Sequence, residues 1–185
     1  CSPEQLKTRF KNTIYRMRSA LGQEVVLFED GRYRFDPLLD YEYDVDLFLH
    51  YVAAGDAAAD LDAQIEAYTL GLSYYGGAYM PDTETAWAYL ERERLHRLYL
   101  DTALHLAQLR FQSGASDGAL AWCQRVLHED LCHEDAHRLA MRIYAATGNR
   151  AGVARQYSLC QKALQEEIDA PPSPQTAELY AQLMQ

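Results

Sequence analysis

An all-α fold of stacked helical hairpins, preceded by one helix and a short β-hairpin, follows from three features of the sequence. The first is texture. From about Asp44 onward, apolar residues recur at helical spacing in segments broken by Gly114, Gly148 and the APPSP stretch at 170–174. The second is a repeat. Gly114 and Gly148 stand 34 residues apart, as do Leu109 and Ile143, Leu120 and Ala154, Cys123 and Tyr157, and Asp101 and Asp135. That is the period of tetratricopeptide helix pairs, in which small residues let two helices approach and stacked hairpins bury a continuous core. The body is therefore expected to be a tetratricopeptide-like right-handed helical repeat. The third is the dipeptide Asp30-Gly31, a strong hairpin-turn signal between two β-prone runs.

In order along the chain, EQLKTRFKNTIYRMRSALG reads as an amphipathic helix with Leu6, Phe10, Ile14, Met17 and Leu21 on one face and Gly22 as its stop. Thr8, Arg9, Asn12, Tyr15 and Arg16 lie opposite that stripe, with Lys7, Lys11 and Arg18 on its flanks. EVVLFEDGRYRF then supplies the hairpin. A basic helix followed by a short hairpin is the layout of the second half of a winged helix-turn-helix, and a lone helix with an isolated hairpin is too small to be stable by itself. Residues 1–36 are accordingly expected to be the C-terminal part of a winged-helix domain, its recognition helix and wing, whose first part is missing from the sequence. Residues 37–185 form the helical body. Its helices are expected near 44–54, 60–74, 83–113, 116–128, 133–147, 150–167 and 173–184, with Asp60 and Ser173 as N-caps.

Composition bounds the function. Hydrophobic residues make up 49% and charged residues 24% of the chain, an ordinary folded composition. No apolar run approaches the roughly 18–20 residues of a membrane helix, and the charged N-terminal pattern is not a secretory leader. The four cysteines, Cys1, Cys123, Cys132 and Cys160, form no CxxC pair, which fits free thiols in a reducing cytoplasm. The net charge of −10 hides a segregation: residues 1–35 carry a balance of +3, and the remainder −13. Between Arg34 and Arg92 there is no Lys or Arg, while eleven acidic residues run from Asp36 to Glu84. The basic leader could approach nucleic acid; the acidic body would be repelled by it.

One motif argues for chemistry. His133-Glu134-Asp135-Ala136-His137 satisfies HExxH, whose histidines at i and i+4 can hold zinc with the glutamate as base. The extended form needs a glycine and a third histidine, where this chain has Ala140 and Ile143. Glu166 and Glu167 lie beyond the Gly148 break. His128, Cys132 and His133 could at most capture an adventitious ion. The repeat register also aligns His133 and His137 with Tyr99 and Ala103, at packing positions of the first helix of a pair. No nucleophile elbow, phosphate loop or carboxylate pair is present, so neither enzyme activity nor a cofactor or metal is expected. Glu91-Arg92-Glu93-Arg94 reads as a solvated helix face, and Trp87 and Trp122 read as core anchors.

The basic helix carries more. Arg and Asn are the residues that read base edges, while Lys and Arg hold phosphates. Lys7, Thr8, Arg9, Lys11, Asn12, Tyr15, Arg16 and Arg32 are the expected DNA contacts in the intact protein.

The segments LKTRFKNTIYRMRSALG, DVDLFLHYV, YYGGAYMPD, WAYLERERLHRLYLDTALHLA, EDAHRLAMRIYAATGNRAGVARQYSLCQKALQEEI and PPSPQTAELYAQL resemble the bacterial transcriptional activator domain family. That domain accompanies a response-regulator-type winged helix in antibiotic-regulatory-protein activators. The likeness runs over 6–184, and its most specific positions are Trp87, Glu91, Arg92, His137, Arg138, Tyr157, Leu164 and the Pro172-Ser173-Pro174-Gln175-Thr176 run. The resemblance implies a helical effector domain packed behind a DNA-binding winged helix, and a structural rather than catalytic His137-Arg138 pair. It implies DNA as a partner through the complete winged helix, and a protein partner or a second copy (a homodimer) through the helical groove. No membrane partner is implied. A tetratricopeptide adaptor unrelated to transcription is the alternative from a different class, and the HEDAH metalloprotease a third.

Overall fold

The 34-residue offset is a property of the backbone as well as of the sequence. In the computed structural model, which describes residues 2–22, 24–36 and 38–185, the turn after each of two helices is built identically. Ser113 N–H donates to Leu109 O, Gly114 N–H to Phe111 O and Ala115 N–H to Arg110 O. Thirty-four residues on, Thr147 donates to Ile143, Gly148 to Ala145 and Asn149 to Tyr144. Gly114 and Gly148 take φ of 83° and 72°, the left-handed region that a residue with a Cβ enters only at a cost.

Among the described residues there are eight helices and one hairpin: α1 (Pro3–Leu21), β1 (Val26–Glu29), β2 (Arg32–Phe35), α2 (Asp44–Ala57), α3 (Leu61–Ser73), α4 (Ala86–Gln112), α5 (Ser116–Glu129), α6 (Glu134–Ala146), α7 (Arg150–Ile168) and α8 (Pro174–Leu183). The chain divides into two compact units, Cys1–Glu42 and Tyr43–Gln185.

In the first unit, Ser2 opens α1 with a capping box: its hydroxyl accepts from Gln5 N–H while the Gln5 side chain accepts from Ser2 N–H. β1 and β2 pair antiparallel with Glu29 opposite Arg32, so Asp30 (φ 50°) and Gly31 (φ 75°) form the two-residue turn that the sequence predicts. The hairpin lies on α1 through Phe10 and Tyr33, whose rings meet edge to face at 4.8 Å, and through Arg18, which donates to Val26 O. No residue of α1 is buried.

The second unit is a run of antiparallel pairs, α2 with α3, α4 with α5 and α6 with α7, each pair stacked on the next, with α8 laid across α6 and α7. A single core threads them, from Phe48, Val52, Tyr68 and Leu72 through Leu106 and Val126 to Leu139 and Ile143. Close packing needs small residues at the crossings. A Cβ on Gly55 of α2 would sit 2.4 Å from the Tyr68 ring of α3, and one on Gly152 of α7 would sit 2.7 Å from Tyr144 of α6. The Tyr68 hydroxyl donates to Asp56 at 2.7 Å, so the tyrosine that fills the space left by Gly55 is also tied at its polar end. Asp60 caps α3 by accepting from Ala63 N–H at 3.0 Å. Ser173 occupies the N-cap position of α8 without a capping bond, and its hydroxyl donates to Glu134. Cys123 and Cys160 are buried free thiols, and burial pushes them up to about 12 and about 11. Cys1 lies outside the described residues. Among the described residues, no helix is long and apolar enough to cross a membrane.

Candidate nucleic-acid interface and docking surfaces

The charged face of α1 is fully open. Lys7, Thr8, Arg9, Lys11, Asn12, Tyr15 and Arg16 are all exposed, as is Arg32 on the hairpin. The cations of this unit divide into two groups. Arg18 pairs with Glu24 at 2.7 Å and Arg34 with Glu29, both anchoring the hairpin. Lys7, Arg9, Lys11, Arg16 and Arg32 take part in no ion pair among the described residues. The Thr8 hydroxyl turns back to donate to Glu4 O at 3.0 Å, so it presents an acceptor and a methyl rather than a donor. The arrangement gives a helix whose exposed surface carries unpaired cations and an amide, held to a two-stranded hairpin. Such a surface can take phosphates with its lysines and base edges with Arg and Asn.

The HEDAH segment is built differently from a zinc helix. His133 is the N-cap of α6 and lies outside it, whereas His137 is buried one turn in. His137 Nε2–H donates to Leu131 O at 3.0 Å, and its Nδ1 accepts from Gln156 Nε2 at 2.6 Å. Both ring nitrogens are thus occupied, and burial holds the imidazole below its ordinary value and neutral. Glu134 accepts from the backbone N–H of Ser173 at 2.9 Å and from its hydroxyl at 2.7 Å. Arg138, one turn further, donates to Thr176 Oγ1 at 2.8 Å and pairs with Asp135. Thr176 is completely buried. Glu134 and Arg138 therefore clamp the start of α8, with Ser173-Pro174-Gln175-Thr176 as the clamped segment. Tyr157 of α7 stacks flat on Tyr180 of α8 at 4.1 Å and holds the middle of the same helix. Among the described residues, no three His, Cys, Asp or Glu side chains gather as a ligand set.

Two expectations need correction at α4. Trp87 is not a core anchor: it is 57% exposed, beside Leu90 at 67%, while Trp122 is 9% exposed and does fill the core. Both tryptophans sit among Leu and Ala, but Ala88, next to Trp87 in the same turn, is completely buried, so Trp87 lies off the covered face of α4. Arg92 does not belong to a solvated face. Its guanidinium donates to Tyr79 O at 2.7 Å, to Thr83 O at 3.1 Å and to Met80 O, fastening the 75–85 loop to α4. Glu91 instead receives two bonds from Arg94, at 2.9 and 2.7 Å. Sequence reasoning missed the cavity that this loop encloses against the start of α2, of about 490 Å³, lined by Tyr43, Asp44, Phe48, Tyr75, Tyr79 and Leu95 among others. The tyrosine density of YDVDLF and SYYGGAYMPD was the available signal.

The described chain thus has stacked helical hairpins in one unit and a basic helix with a two-stranded hairpin in the other. The model of the family described as bacterial transcriptional activator domain matches residues 43–184, and the chain belongs to that family. EmbR of Mycobacterium tuberculosis, solved in complex with a low affinity phosphopeptide, has the same fold: TM-score 0.78, 15% identity, covering 100% of this chain and 51% of EmbR. The chain thus spans about half the length of that regulator. No curated protein matches it.

Proposed function

We propose that this chain joins the DNA-reading edge of a winged helix to the effector module of a bacterial transcription regulator, and that it is not an enzyme. The observation that carries the reading is the pairing state of the α1 cations. Arg18 and Arg34 are consumed in pairing with the hairpin region, and Lys7, Arg9, Lys11, Arg16 and Arg32 are left exposed and without an ion pair among the described residues. In the intact regulator, α1 enters the major groove with Asn12 and Arg16 toward base edges and Lys7 and Lys11 toward phosphates, while Arg32 on the wing meets the flanking backbone. The second unit holds a protein partner or a second copy, because stacked helix pairs expose a long surface suited to a helix or an extended peptide.

The test is DNA binding by the full-length regulator. Arg16→Ala is expected to cost about 1–3 kcal/mol of affinity and to relax sequence preference at the base pairs it faces. A variant that binds and discriminates like the parent would refute the assignment. The non-enzymatic reading draws on the full commitment of the His137 ring nitrogens and of Glu134 to bonds that hold α8 in place. Zinc analysis of purified protein tests it: stoichiometric metal lost in a His133→Ala, His137→Ala variant would revive the metalloprotease.

A further inference from the structure

The cavity between the start of α2 and the loop before α4 is outside everything assigned so far. Its volume of about 490 Å³ falls in the range of small-ligand and side-chain pockets, roughly 300–1,000 Å³. Phe48 and Leu95 give it an apolar base, and the rings of Tyr43, Tyr75 and Tyr79 line it.

These aromatics are held in place. Tyr75 stacks on Tyr99 at 4.2 Å and 17°, approaches Phe48 at 5.8 Å, and shares a hydrogen bond with His96 Nδ1 at 3.2 Å. Tyr43 and Tyr79 meet through their hydroxyls at 3.5 Å. The loop carrying Tyr79 is fastened by Arg92, as described above. The cavity exists before any ligand arrives, so little ordering cost accompanies binding.

Its polarity points to a cation. Asp44 contributes the one carboxylate of the lining, and there is no lysine or arginine in it. The surrounding sequence from 35 to 91 has no lysine or arginine at all. The positive end of the α2 dipole is offset by Asp44 and Asp46 in its first turn, with Asp44 accepting from Val45 N–H at 2.9 Å. Arg92 does not line the cavity, and its charge is spread over three loop carbonyls. Along the lining segment Gly76-Gly77-Ala78, no carbonyl is hydrogen-bonded to the described protein, so the lining includes backbone acceptors that are not engaged. Aromatic faces, a carboxylate and available carbonyls together suit a guanidinium. It is planar, weakly hydrated, stacks on rings and carries five donors, whereas an ammonium is compact and strongly hydrated.

We propose that this cavity receives an arginine side chain from a basic segment of a partner protein. The proposal rests on the partner-contact part of the function above and names what that partner presents. The experiment is a titration of the whole chain, carrying 13C-labelled tyrosine rings, with N-acetyl-arginine amide, its lysine counterpart and its uncharged citrulline counterpart. Saturable shifts at Tyr75 and Tyr79 with the arginine compound are expected. Citrulline should bind roughly tenfold or more weakly, as expected for lost charge-assisted hydrogen bonds, with lysine between the two. Asp44→Asn and Tyr79→Ala should weaken arginine binding while leaving the circular dichroism of the chain unchanged. Citrulline binding as well as arginine, absence of saturable shifts up to the solubility limit, or indifference to Asp44→Asn would overturn the proposal. Sedimentation of the same samples separates the two readings. Protein association that persists without arginine capture keeps the partner reading and removes this one, and a homodimer that shields Tyr75 and Tyr79 makes a second copy the occupant and overturns it.

Discussion

His137 shows how much one side chain can fix. Its two nitrogens join the α5–α6 connection to α7 through Leu131 O and Gln156, and the bond that Nδ1 accepts from Gln156 requires a neutral ring. Burial depresses its folded value; the bond to Leu131 O, Glu134 and Asp130 pull the other way, and His133 adds to the depression. The unfolded chain, with histidine near about 6.5, then binds more protons than the folded one in the window just below that value. Stability should therefore fall as pH drops from 7.5 to 5.5, and the decrease should level off once the folded ring titrates. Glu134 is held below its ordinary value, and its contribution is lost only at lower pH, below about 4.5. Urea denaturation of the parent and of His137→Gln at several pH values checks this, since the variant should lose the upper component and keep the acid one. The two tryptophans give a second contrast: Trp122→Ala should cost about 3–5 kcal/mol, and Trp87→Ala about 0.5 kcal/mol or less. The sequence could not separate them, because apolar residues are spread around the first turns of α4, where Trp87 and Leu90 are exposed and Ala88 is buried.

At the scale of elements, helix positions were legible because apolar periodicity, turn glycines and the 34-residue offset all agree. The expected α3 and α5–α8 boundaries differ from the observed ones by a residue or so. α4 begins at Ala86 instead of near 83, since the preceding loop is drawn out by the three bonds to Arg92. Arg92 itself was hidden among alternating charges, where no local pattern distinguishes an arginine that turns inward from one that faces water. The clamp on α8 was similarly hidden, because its partners, Glu134 and Ser173, are 39 residues apart. Removing it should be felt locally. Arg138→Ala leaves the buried Thr176 without its donor, so a loss of about 1–3 kcal/mol is expected, with hydrogen-exchange protection falling first in α8. Gly148→Ala places a Cβ in the left-handed region and should cost roughly 1–2 kcal/mol, and Gly114→Ala should match it if the two turns are as equivalent as their hydrogen bonds.

The whole molecule is organised by charge. The basic leader, residues 1–35, lies within the first unit, and most of the acidic, lysine-free and arginine-free stretch lies in the second, with Asp36, Asp40 and Glu42 at the end of the first. Charge segregation and the helix-plus-hairpin layout were plain in the sequence. The division between cations paired in the hairpin region and cations left without an ion pair was not, because pairing depends on which side chains the folded hairpin brings within reach. That division is the basis of the functional reading, and the salt dependence of DNA binding tests it most directly. In the full-length regulator, the slope of log affinity against log salt should become shallower by about 1 on Lys7→Ala and again on Lys11→Ala, with affinity lost about equally on every DNA sequence. Unchanged slopes in both variants would contradict the assignment of α1 as the DNA-facing helix.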